Sequence, residues 1–258
     1  MWTKDVLLIC AMMSVAYCFP EGRIVNGTSS VIDKFPFMVS LRSARGSHSC
    51  GATIIAPRWI LTAGHCVANR NASSITLQFA STKLDVQNSN LLKVKRFILH
   101  EDYDDDEVSN DIALLELYGK LVYNYKTIAP VILPEQNFEI PQTPEGVPGS
   151  LAGWGVNVTG GYVQSILQEV DLKIYSDEEC LKRHENDTTV NNICAGVDEG
   201  WMGQCNGDSG GPLLYKGRIQ LGIVSWSIKP CRVPPYPGIY AKVSHYIKWI
   251  RKNCDLCI

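Results

Sequence analysis

The chain is short of positive charge, of long apolar runs and of helical periodicity, and each shortage removes a class of function. Lys and Arg number 24 against 26 Asp and Glu, a net charge of −2. With no basic excess to neutralise a phosphate backbone, nucleic acid is excluded as a partner. The longest apolar run, "VLLICAMMSVAYCF" at 6–19, falls short of the roughly 20 residues that cross a bilayer, so no membrane span is expected. No repeat of about 20 to 50 residues occurs, which removes solenoids and propellers. Apolar residues recur at helical spacing only in "SHYIKWIR" (244–251), which predicts a single helix near the end of the chain.

What the sequence has instead is strands. Short runs rich in β-branched and aromatic residues, separated by turn residues, occupy 37–41, 52–55, 75–79, 91–99, 112–117, 166–174 and 219–226. That rhythm predicts an all-β barrel or sandwich rather than alternating βαβ units. A chain of 258 residues, 45% hydrophobic, suits one large domain or two small barrels sharing a core. The proline-rich stretch "PEQNFEIPQTPEGVP" (134–148) reads as a connection between two halves.

Lys4 ahead of the apolar run, with Ser14 and Ala16 near its end, predicts a removed signal peptide over 1–18. Ten cysteines in an exported chain argue for disulfides rather than metal ligands. Sequons at Asn26, Asn71, Asn157 and Asn186 agree with a secreted, extracellular glycoprotein. Neither metal nor cofactor is expected. In "HEDYDDDE" (100–107), Asp102, Asp104 and Asp106 match the opening of a calcium loop. That pattern then needs glycine at Glu107 and glutamate at Ala113, so the stretch reads as a solvated loop. Cys254 and Cys257 in "CDLC" either bridge each other or leave one to hold Cys18; two thiolates alone do not fill a zinc shell.

Three separated stretches carry chemistry. "QCNGDSGGP" (204–212) packs three glycines around Asp208 and Ser209, a costly concentration of flexible residues in one turn. "LTAGHC" (61–66) holds His65, and "NDIALLEL" (110–117) opens on Asn110 and Asp111. Together they supply a base, an acid to orient it and a nucleophile, in the order His, Asp, Ser. With these motifs the chain resembles the trypsin/chymotrypsin-like serine proteases over nearly all of 24–250. The resemblance implies two six-stranded antiparallel β-barrels with the active site between them and a C-terminal α-helix. It implies catalytic roles for His65, Asp111 and Ser209, and an oxyanion hole formed by the backbone N–H groups of Gly207 and Ser209.

The resemblance also implies a zymogen. A propeptide, 19–23, would be cut after Arg23 by a trypsin-like activating protease, and the new amino group of Ile24 would pair with Asp208 within a protease domain spanning 24–258. Implied disulfides are Cys50–Cys66, Cys180–Cys194 and Cys205–Cys231. A further family bridge is missing at both ends, where Gly149 and Tyr215 stand, and Gly64 replaces the usual alanine.

Implied substrate-binding residues are Gly203, Ser225, Trp226, Ser227 and Gly238. Gly203 falls at the pocket floor, where trypsins carry an aspartate. A cationic side chain there would lose hydration without a counter-ion. Chymotrypsin- or elastase-like cleavage after an uncharged, apolar P1 residue (the one preceding the scissile bond) is therefore expected over trypsin-like cleavage. Gln204 adds polarity to the same region. Expected partners are protein or peptide substrates and protein protease inhibitors, with the enzyme itself a monomer. Two rival readings are a non-catalytic homologue that binds partners through the same fold and, from the sequons alone, an adhesive glycoprotein.

Overall fold

The computed structural model describes residues 28–84, 90–141, 143, 145–231 and 233–257. The signal and propeptide segments, Arg23, Ile24 and Asn26 lie outside the described residues.

A two-residue strand, β1 (Thr28–Ser29), precedes the first barrel. That barrel comprises β2 (Met38–Arg42), β3 (His48–Ala56), β4 (Trp59–Thr62), β5 (Thr76–Phe79), β6 (Leu91–Leu99) and β7 (Ala113–Leu117), closed in the order β2-β3-β4-β7-β6-β5. The second comprises β8 (Val147–Gly153), β9 (Gln168–Ile174), β10 (Asn192–Gly196), β11 (Pro212–Tyr215), β12 (Ile219–Trp226) and β13 (Gly238–Lys242). Its order is β9-β10-β13-β12-β11-β8, the β8–β9 pairing closes the ring, and β1 adds to β9 from outside. Every pairing between strands is antiparallel. Closure removes the unpaired edges that an open sheet would present to other chains. Helix α1 (Asp177–Arg183) lies between β9 and β10, and α2 (Val243–Asn253) follows β13.

The alternation that marks strands in the sequence is visible in β9, where Gln168, Val170, Leu172 and Ile174 turn inward between less buried Glu169, Asp171 and Lys173. The first barrel is filled by Phe35, Met38, Leu41, Ile54, Ile60, Leu61, Ile75 and Leu77, all fully buried. On α2, buried Tyr246, Ile247 and Ile250 pack into this same core. The connection predicted over 134–148 ends sooner, because Val147 already pairs with Ile174 to open β8. Helix α1 was outside the expectation. Its start is set by Ser176, whose hydroxyl accepts from Glu179 N at 3.1 Å, and by Asp177, Glu178 and Glu179 at the positive end of the helix dipole.

The two barrels are stitched together by polar contacts. Thr53 Oγ1 donates to Gln220 Oε1 at 2.7 Å in a buried contact. Between them, Val131 N donates to Ile54 O at 2.8 Å and Gln220 N to Ile132 O at 2.9 Å. Gly51 on β3 lies so close to the second barrel that a Cβ there would come within 2.9 Å of Gly211 Cα. Through this approach Gly51 N donates to Ser209 O at 2.7 Å, which holds the "QCNGDSGGP" loop against the first barrel. Among the described residues no helix is long and apolar enough to cross a membrane.

Candidate active site

His65 lies just after β4 and Asp111 just before β7. Because these strands pair, with Thr62 opposite Ala113, residues 46 apart in the chain are brought side by side. The Asp111 carboxylate is buried, with 2% of the residue exposed. Its Oδ1 accepts from His65 N at 2.9 Å, and its Oδ2 accepts from His65 Nδ1 at 2.8 Å and from Ser225 Oγ at 2.5 Å. This assigns the imidazole proton to Nδ1 and leaves the Nε2 lone pair for a substrate-side proton. Burial alone would lower the His65 pKa; the hydrogen bond and charge of Asp111, with Asp105 adding, outweigh it and raise the value above the ordinary 6.5.

Ser209 is held from both barrels. Its carbonyl accepts from Gly51 N, and the next residue, Gly210, donates to Val224 O at 2.8 Å, one position before Ser225. Among the described residues no hydrogen bond joins His65 to Ser209. Such contacts tighten in many enzymes only when substrate is bound. Ser209 shares one cleft with Gln204, Asn206, Ser225, Trp226 and Ser227.

The preceding loop is shaped by contacts that the motif reading passed over, from His48 and from Gly153 and Gly155. Gly207 takes φ +95°, a left-handed conformation that glycine adopts without penalty. Its carbonyl faces His48 Nε2 at 2.8 Å, while His48 Nδ1 meets Ser40 Oγ at 2.8 Å. Burial pushes the His48 pKa down to about 4, with Arg42 adding and the Gly207 carbonyl opposing. The neutral ring satisfies both contacts when Nε2–H donates to Gly207 O and Nδ1 accepts from Ser40. Asp208 is fully buried; its Oδ1 accepts from Gly155 N at 2.8 Å and its Oδ2 from Cys205 N at 3.0 Å. A Cβ on Gly153 or Gly155 would collide with that carboxylate. "GWG" at 153–155 was therefore a legible signal only for a reader who knew what lay opposite it.

The pocket differs from the sequence expectation. Gly203 and Gly238 line a small cavity that adjoins the cleft beside Ser209 rather than the cleft itself, and Gln204 and Ser227 line both. The cause is the Gln204 side chain, which crosses over Gly238 and donates from Nε2 to Trp226 O at 2.5 Å and Ile239 O at 3.3 Å. A Cβ on Gly238 would approach Gln204 Cδ to 2.7 Å. The floor presented to the cleft is thus an amide, not a bare glycine.

Disulfides join Cys50 to Cys66, Cys180 to Cys194, Cys205 to Cys231 and Cys254 to Cys257. The last pairing resolves the alternatives left open by "CDLC". Cys50, His65 and Cys66 cluster closely enough to suggest a metal, but both sulfurs are committed to their bridge and offer no thiolate. Asn71 and Asn186 are exposed and Asn157 is half-buried. In the acidic stretch, Asp104 Oδ1 accepts from the backbone N of Asp106 and Glu107 at 2.9 and 3.0 Å, which closes a turn.

The chain is similar to "Trypsin-1" of Astacus astacus, with 38% identity over 89% of this chain and 99% of that protein. It is also similar to "Trypsin II-P29" of Gallus gallus, 35% identical over 97% and 98%, and to "Trypsin Blo t 3" of Blomia tropicalis, 36% identical over 90% and 86%. The leading relatives all carry the name trypsin. This overturns the expectation that chymotrypsin- or elastase-like specificity is favoured over trypsin-like specificity. The amide floor shows why inference from Gly203 was unsafe, since that glycine does not face the cleft. The sequence profile described as "Trypsin" matches residues 24–250, and with it the chain belongs to the trypsin family of serine proteases.

Proposed function

We propose that the mature chain is a secreted, trypsin-like serine endopeptidase working through His65, Asp111 and Ser209. The observation that carries this reading is the buried Asp111 carboxylate, which holds His65 by ring and backbone at the edge of the barrel contact that also seats Ser209. His65 Nε2 takes the Ser209 hydroxyl proton as Oγ attacks the scissile carbonyl, and returns it to the leaving amine. Asp111 keeps the ring in the required tautomer and stabilises the imidazolium. The N–H groups of Gly207 and Ser209 receive the developing oxyanion; among the described residues neither is taken by another group. Residues 225–227 pair with the substrate backbone as an added strand. A fluorophosphonate probe applied to the Arg23-cleaved protein labels Ser209, and peptide hydrolysis is lost with labelling. Failure to label Ser209 in that cleaved protein would favour the non-catalytic homologue.

Because the base must be neutral to accept the proton, a raised His65 pKa moves the acid limb of activity upward. Activity on an uncharged peptide falls as pH drops through a midpoint above 6.5. Asp105→Asn shifts that midpoint down, since Asp105 favours the imidazolium; an unmoved kcat/KM profile would remove Asp105 from the account.

Activation is read as cleavage after Arg23, with the Ile24 ammonium turning inward to Asp208. A buried carboxylate is stabilised by a cation, so cleavage orders the loop that carries the oxyanion donors. Arg23→Gln is expected to yield a folded precursor whose activity stays at background after exposure to a trypsin-like activator. Full activity with the 23–24 bond intact by mass spectrometry would refute the zymogen reading.

A further inference from the structure

The cleft beside Ser209 has one charged side chain in its lining, Lys229, and no carboxylate. Charge pairing of the kind that an aspartate floor supplies is therefore not available to select the P1 side chain. What the cleft has instead is Gln204, 3% exposed, whose Nε2 donates to the carbonyls of Trp226 and Ile239. Those two carbonyls fix the orientation of the amide, because the reverse arrangement would set Gln204 Oε1 against two other oxygens. Oε1 is left buried and without a hydrogen-bond partner among the described residues. A buried acceptor in that condition is costly, and a ligand that brings a donor relieves the cost.

We infer that Gln204 is the specificity-determining residue of the cleft and that its Oε1 reads P1 side chains ending in an N–H donor, the ammonium of lysine or the carboxamide of glutamine. The inference rests on the assignment of Ser209 as nucleophile and names the substrate class of that same site. An apolar P1 side chain leaves the buried Oε1 without a partner, and an acidic one sets oxygen against oxygen. Sites that depend on such a bond reject the isostere lacking it far more strongly than apolar pockets reject a missing methylene. Lys229 separates the two donor sources. Its Nζ, bound to Asn206 Oδ1 at 2.8 Å, lies at the cleft lining, where it opposes a second ammonium but not a carboxamide.

The test uses the Arg23-cleaved protein and four peptides that differ only at P1, in two nearly isosteric pairs, glutamine with methionine and lysine with norleucine. Within at least one pair kcat/KM is expected to be about 10- to 100-fold higher for the donor. Gln204→Met is expected to bring that ratio to one or below. Lys229→Ala is expected to raise lysine relative to glutamine. The wild-type pairs decide without any variant: methionine and norleucine cut as fast as their partners overturn the inference while fluorophosphonate labelling of Ser209 leaves the protease reading standing. A Gln204→Met protein that labels normally but keeps the wild-type ratio overturns it as well. Absence of labelling in the wild-type protein overturns both.

Discussion

Replacing Ser209 with alanine in the Arg23-cleaved protein is expected to lower kcat by about six orders of magnitude, and adding His65→Ala to lower it little further. The non-additivity follows from the chemistry. A serine hydroxyl is a poor nucleophile until a base takes its proton, and an imidazole without the hydroxyl has nothing to activate. Asp111 acts one step back. Asp111→Asn replaces an acceptor of three hydrogen bonds, from His65 N, His65 Nδ1 and Ser225 Oγ, with a group that must present N–H₂ to donors. The ring then favours the tautomer with its proton on Nε2, which cannot accept from Ser209, and kcat is expected to fall by about four orders. Pre-steady-state turnover of an activated ester, with protein concentration fixed by absorbance, measures these variants together with His65→Ala alone. A double variant much slower than either single would show that His65 and Ser209 do not act as a unit, and the missing hydrogen bond between them would then be a real separation.

That pair also marks how much of the site was legible. His65 and Asp111 could be singled out because each stands in a short motif beside an apolar run, "LTAGHC" and "NDIALLEL", whose strands are buried throughout. β6 and β12 occupy the ranges their patterns indicated, 91–99 and 219–226. Other strands were missed for a local reason as well. β8 is "VPGSLAG" and β10 is "NICAG", short and rich in small residues, and they are strands because neighbours on both sides complete their ladders. Helix α1 could have been found, since Ser176 followed by Asp177, Glu178 and Glu179 is a strong start signal.

The pocket was beyond such reading. Gly203 and Gln204 are adjacent, and which of them faces Ser209 is decided by the carbonyls of Trp226 and Ile239, 22 and 35 positions further along. No pattern within the loop encodes that choice. The same holds for His48, which reaches Gly207 O across 159 positions, and for Gly155, which meets Asp208 across 53. Fold class is carried by periodicity, whereas the shape of the cleft is carried by single contacts between distant segments.

Asp208→Asn tests the most consequential of those contacts. The wild-type carboxylate accepts from Gly155 N and Cys205 N in a fully buried site. An asparagine side chain keeps the shape but must turn its N–H₂ toward one of these donors, leaving a buried N–H unsatisfied. Losing a charge-assisted bond and stranding its partner costs about 2–4 kcal/mol, read as a fall in the urea midpoint. The residue lies between Gly207 and Ser209, so the same displacement moves both proposed oxyanion donors. Misplacing one such donor typically costs about 10²- to 10³-fold in kcat. Gly155→Ala should act in the same direction by a different route, its Cβ driving into the carboxylate rather than removing its charge. Two variants of unlike chemistry that both lower kcat, with KM nearly unchanged, would tie the buried carboxylate to the position of the oxyanion donors. A lowered urea midpoint with unaltered kcat would instead make Asp208 a packing element with no hold on the position of the oxyanion donors.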